Sequence, residues 1–309
     1  MDEAYRRQVA LLVRVLPHVA TEPDFALKGG TAINLFRRDL PRLSVDIDLT
    51  WLPVADRAAS LAGISAAMER VAARVERSVH GARVQRQRGG EGDLAKLLVR
   101  ANGVQVKVEV TPVLRGTAYP PVIRACLPRT EAEFGFVEVP VVSDADLWAG
   151  KIVAALDRQH PRDLFDARGL LTENGLTDEV REALIVYLLS HDRPIGEVLA
   201  ARRKDITSEF ERNFRGMTVD PVELAELLDA RERLVAEVVG GMPDRHVEFL
   251  ASFERGDPDW SAFPAVPHAA ELPAVRWKAQ NLAKLSAGKR TELADAVRLA
   301  VQGARLRTH

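Results

Sequence analysis

Cysteine is all but missing from this chain: a single residue, Cys126, stands among 309. One thiol cannot close an internal disulfide, and no grouping of Cys and His has the spacing of a zinc site. A charge excess is missing too. The formal net charge of −1 excludes a globally basic nucleic-acid binder, although it leaves room for a local basic patch. There is no apolar run long enough to span a bilayer, and the charged, periodic start MDEAYRRQVALLVRVLPHVA lacks a signal-peptide layout. A cytoplasmic location is therefore expected. Internal repeats and low-complexity tracts are also missing. What remains is 47% hydrophobic and 28% charged, enough for two domains with real cores.

Chemistry concentrates in LKGGTAINLFRRDLPRLSVDIDL, residues 27–49. Lys28-Gly29-Gly30-Thr31 reads as a short strand, a tight turn and a helix start, whose free backbone N–H groups suit phosphate oxygens. From Pro41 to Thr50, Arg42, Ser44, Asp46 and Asp48 alternate with Leu43, Val45, Ile47 and Leu49. That period of two predicts a strand with one apolar face and one face carrying a cation, a hydroxyl and two acids. A solvated edge strand would show the same alternation. Two aspartates this close nevertheless repel each other, and the spacing asks for a counter-charge, with a divalent metal the obvious candidate.

A third acid comes from DLAKLLVRANGVQVKVEVTPV. Asn102-Gly103 between two β-rich runs predicts a type I′ hairpin, pairing Ala101 with Val104, Val99 with Val106, Leu97 with Val108 and Lys96 with Glu109. Gln105, Lys107 and Glu109 then share the face opposite the valines. Beside the Asp46/Asp48 strand, Glu109 would complete a carboxylate triad; alone, it would make a cross-strand pair with Lys96.

A Gly-Gly turn, an Asp-x-Asp strand and a later strand with one more acid resemble the nucleotidyltransferase superfamily of DNA polymerase β type. With DLWAGKIVAALDRQHPRDLFDARGL added, residues 146–170, the chain is similar to the AbiEii/AbiGii (MenT-type) nucleotidyltransferase toxin family. The resemblance implies metal-dependent transfer from an NTP, with Mg²⁺ held by Asp46, Asp48 and Glu109. It implies that Lys28, Gly29, Gly30, Thr31, Ser44 and Lys151 contact the nucleotide. Lys151 and Asp163 join Asp46 and Asp48 as catalytic candidates. Read without the family, Lys151 could equally be a solvated helix lysine, and Asp163, two residues after Pro161, could merely complement a helix dipole.

The implied fold is α+β: a nucleotidyltransferase core over residues 1–145 with a mixed sheet, and a helical domain over 146–309, of which 146–170 contributes to the active site. The implied role is the toxin of a bacterial toxin–antitoxin system, with a cognate antitoxin and an RNA acceptor, a tRNA 3′ end foremost. A small-molecule or protein hydroxyl acceptor and a non-catalytic NTP-binding module stay open. From Ala274 onward eight Lys and Arg face only Glu292 and Asp295, so this stretch is either an RNA-tracking face or a solvated one.

Overall fold

The computed structural model describes residues 3–89, 92–173 and 175–307. The chain divides into two compact units, Met1–Ser143 with Arg215–Pro221, and Asp144–Phe214 with Val222–His309.

The first unit is built on a seven-stranded mixed sheet. Its strands are β1 (Phe25–Lys28), β2 (Asp46–Trp51), β3 (Arg83–Arg88), β4 (Leu94–Ala101), β5 (Val104–Arg115), β6 (Val122–Ala125) and β7 (Glu138–Val141), in the spatial order β3-β4-β5-β2-β1-β7-β6. β2 runs parallel to β5 and β1 parallel to β7; the other neighbours are antiparallel. The β4–β5 hairpin has the register its turn dictates: Ala101 faces Val104, Leu97 faces Val108 and Lys96 faces Glu109. Asn102 and Gly103 both adopt positive φ, 50° and 76°, as a type I′ turn requires.

Val106, Val108 and Val110 are buried on one face beside Leu97 and Val99. Burying a valine is worth about 1.5–3 kcal/mol, so a one-residue slip that exposed all three would cost roughly 5–9 kcal/mol, comparable to a domain's whole stability. The register is therefore fixed. Helices α1 (Glu3–Ala20) and α3 (Arg57–Ser78) pack on β5 and β4 respectively, and their apolar stripes, Val9, Leu12 and Leu16 on α1 and Ile64, Met68 and Val71 on α3, are fully buried. Between them in sequence lies α2 (Gly29–Phe36); α4 (Pro128–Phe134) follows β6.

The second unit is helical: α5 (Asp144–Asp157), α6 (Pro161–Glu173), α7 (Asp178–Leu189), α8 (Ile195–Ala200), α9 (Thr207–Asn213), α10 (Leu224–Leu234), α11 (Asp244–Arg255), α12 (Pro273–Ala283) and α13 (Ala287–Leu306). α10 runs on into a π-helical turn, Val235–Gly240. Among the described residues no helix is long and apolar enough to cross a membrane.

Candidate active site

β2 lies inside the sheet between β5 and β1. Asp46 and Asp48 are half-buried on one face, while Ile47 between them is fully buried on the other. The alternation expected from Pro41 onward holds only from Asp46. Before it the backbone is irregular, and both Arg42 and Ser44 are buried instead of lining an open strand face. The reason lies in the contacts of Gly30 and Thr31. The Thr31 hydroxyl donates to the Asp46 carbonyl at 2.5 Å and lies 3.0 Å from the Ser44 hydroxyl. The Arg42 guanidinium donates to the Leu43 carbonyl at 2.8 Å, and Arg42 is bridged in antiparallel fashion to Thr218.

These contacts explain the two glycines. A Cβ on Gly29 would meet Asp48 Oδ2 at 2.7 Å, and Gly29 has a φ of +73°. A Cβ on Gly30 would meet the Arg42 guanidinium at 2.6 Å and Ser44 Oγ at 2.9 Å. Only glycine lets the start of α2 lie this close to the acid strand. The N-cap residue Lys28 makes no side-chain cap to the first turn of α2.

Register across the sheet gathers the charges. Lys28 is opposite Asp48 on β1, Glu109 is opposite Asp48 on β5, and Lys107 is opposite Asp46. Glu109 thus shares the face of the two aspartates. Its carboxylate is held by Lys107 Nζ at 2.7 Å, not by Lys96. Burial would lower the Lys107 pKa, but the hydrogen bond to Glu109 and the charges of Asp46, Glu109 and Asp48 outweigh it and raise it. Lys107 is a counter-charge built into the sheet.

A second cluster is buried in the helical unit. Lys151 on α5 is only 7% exposed, and its Nζ lies 2.7 Å from Asp163 and 3.0 Å from Asp166, both on α6. Arg158 reaches the other Asp163 oxygen at 2.9 Å. Lys151 is therefore not a solvated lysine, and Asp163 does more than complement a helix dipole. Burial would raise the Asp163 pKa, yet the Lys151 and Arg158 charges and the Lys151 hydrogen bond keep it below its ordinary value.

A family model described as the nucleotidyl transferase AbiEii toxin of a type IV toxin–antitoxin system matches residues 10–281. The chain belongs to this family. It is accordingly a nucleotidyltransferase that uses an NTP, and its toxin role implies an antitoxin partner. Among solved structures the chain is similar to MenT4, a nucleotidyltransferase toxin from Mycobacterium tuberculosis H37Rv, at 21% identity and a TM-score of 0.45, over 98% of this chain and 95% of that one. No curated protein matches it in sequence.

The family generally uses a divalent metal alongside the NTP. The residues on β2 fit such an ion in kind: two half-buried carboxylates, hard oxygen donors, on one strand face. Glu109 is aligned with them but engaged by Lys107, and among the described residues no three Asp, Glu, His or Cys side chains converge closely enough to hold a cation as they stand. Lys107, Arg158 and Asp166 join the predicted residues through their ion pairs. Lys107 follows from the hairpin register once β5 is placed beside β2, and Asp166 from its spacing of three after Asp163 on one helix.

Proposed function

We propose that this AbiEii-family enzyme transfers a nucleotide from an NTP to a hydroxyl of an RNA acceptor, with a tRNA 3′ end as the leading acceptor, and that the reaction depends on Mg²⁺ held by Asp46 and Asp48. The observation that carries the reading is the pair of half-buried aspartates abutting a diglycine helix start that a Cβ would block. In the reaction the acceptor oxygen bonds to the α-phosphorus, the bond to the bridging oxygen breaks, pyrophosphate leaves with that electron pair, and the hydroxyl proton passes to water. A bound metal supplies positive charge for the attacking and leaving oxygens.

The remaining work belongs to side chains and backbone of this chain. The first-turn N–H groups at Gly30 and Thr31 face phosphate oxygens, and Lys28 adds a positive charge beside them. Ser44, buried against Thr31, acts by holding that residue in place. Lys151 is the phosphate-contacting cation and Asp163 the acid that orients it, a reading supported by the resemblance and by their buried ion pair. Glu109, aligned with the two aspartates, would be the third residue to hold the ion once released from Lys107.

Asp48→Asn tests the proposal. The variant should stay folded, with a melting temperature in EDTA equal to or above that of the wild type, because a like-charge repulsion is relieved. Pyrophosphate release should fall by more than the roughly 10–100-fold that losing an outer-shell metal partner costs. Near wild-type turnover in Mg²⁺ would sink the metal assignment. Incubation of the wild type with each labelled NTP and total RNA tests the acceptor, and label found only in protein or small molecules would replace RNA.

A further inference from the structure

The face of the sheet that carries Asp46 and Asp48 continues across β5, β4 and β3 as a field of cations and amides. Backbone register identifies its members. Lys107 is opposite Leu98, which is opposite Gln85; Glu109 is opposite Lys96, which is opposite Gln87; Gln105 is opposite Arg100, which is opposite Arg83. Arg83, Gln85 and Arg100 are exposed, and Gln87, Lys96, Leu98 and Gln105 are half-exposed.

The cations on the two sides of this wing are treated differently. Arg86 points to the helix-covered side and is bound by Glu69 and Glu76 of α3, and Arg88 by Glu69. Arg83, Lys96 and Arg100 have no ion pair among the described residues, and Arg100 makes only a hydrogen bond to Gln105 Oε1 at 2.7 Å. The basic C-terminal stretch is mixed: Lys278 is buried, Lys289 pairs with Glu292, Arg298 with Glu248 and Asp295, and Arg305 with Asp244, whereas Arg276, Lys284, Arg290 and Arg307 make no ion pair among the described residues.

We infer that Arg83, Lys96 and Arg100, with Gln85, Gln87 and Gln105 between them, form the track for the acceptor: a single-stranded 3′ end of RNA that crosses β3, β4 and β5 to bring its terminal hydroxyl to Asp46 and Asp48. The inference rests on the RNA-acceptor reading above. Charge complementarity selects a polyanion, and the lone half-exposed Leu98 among polar residues offers little to an apolar partner. Length fits as well. Three interstrand steps of about 4.8 Å make roughly 14 Å from β3 to β2, a path for about four stacked nucleotides at ~3.4 Å each. The amides supply donors and acceptors for sugar hydroxyls and base edges, which a lysine cannot do alone.

The probe is an RNA hairpin bearing a four-nucleotide 3′ overhang, compared with the same hairpin made blunt. Binding is measured by titration over a range of salt, and nucleotide transfer is measured separately. The wild type should bind the overhang hairpin at least tenfold tighter than the blunt one. R83Q/K96Q/R100Q should lose that preference and flatten the slope of log affinity against log salt by about two, at ~0.7 for each single-strand phosphate contact. NTP affinity should not change, and K284A/K289A/R290A should behave as wild type in every assay. Arg100→Gln alone should give about a third of the slope change, which guards against a triple variant that fails to fold. A wild type that binds both hairpins equally, or a sheet-face variant with an unchanged slope, overturns the inference even if RNA is labelled. Overhang-dependent binding with label going only to another hydroxyl upholds the track and sinks the RNA-transfer reading instead.

Discussion

Lys107 is the residue whose chemistry most changes how the acid cluster behaves. Three carboxylates face it across two strands, yet it forms its ion pair with one of them, and both partners remain about a third exposed in their side chains. Solvent screening holds such a pair to roughly 1 kcal/mol or less, so Lys107→Met should lower the metal-free melting temperature by only about 2–4 °C. Its larger effect falls on the cation. With this built-in charge gone, the acids attract an added cation more strongly, so the rise in melting temperature on adding Mg²⁺ should be greater in Lys107→Met than in the wild type. Equal rises in a thermal-shift titration would mean that Lys107 and the metal do not share the site. The aspartates were legible in the sequence because a period of two and an awkward like-charge pair are local signals. Lys107 as their partner was not, because the pairing arises from a parallel register between segments some sixty residues apart, which no local pattern encodes. Arg42 and Ser44 fall outside the strand for a related reason: tertiary contacts with Gly30 and Thr31 override the alternation.

Among elements, the contact between α12 and the end of α7 gives the clearest pH signature. Lys278 of α12 donates its ammonium to the carbonyls of Leu188, His191 and Arg193 at 3.3, 3.1 and 2.8 Å, caring for carbonyls that the end of α7 and its loop leave over. Burial drives its pKa down from 10.5 to about 8, against the opposing pull of Glu254 and Asp192. Between those two values the unfolded chain holds a proton that the folded chain has released. Stability therefore rises with pH across that window and is lost as pH falls through about 8. Lys278→Met should remove this rise, so the difference between the melting temperatures of wild type and variant should widen in the wild type's favour from pH 7.5 to 10. A constant difference would place the lysine's titration outside that range. Helix α13 begins at a local signal: Ser286 caps it by accepting from Lys289 N. That Lys278 turns inward is not legible in the sequence, since a helix lysine looks solvated until its partners, the carbonyls of Leu188, His191 and Arg193, are known.

For the whole molecule, the consequential feature is the short return of the chain at Arg215–Pro221 to the sheet-bearing unit. There Met217 accepts from Leu43 N at 2.8 Å, Val219 N donates to Pro41 at 3.0 Å, and Thr218 bridges Arg42, the side chain that packs against Gly30. A fragment ending at Ser143 lacks all three contacts. It should unfold at lower urea than the same fragment fused through a flexible linker to residues 215–221, and fusion should recover part of its NTP binding. Identical midpoints would show that the returning segment adds nothing to the acid strand. If the contacts matter as described, the linear gene and the folded units do not share a boundary. Removing residues 215–221 from their place in the gene would therefore strip a backbone strap from the acid strand although 71 residues of the other unit, Asp144–Phe214, separate the two in sequence.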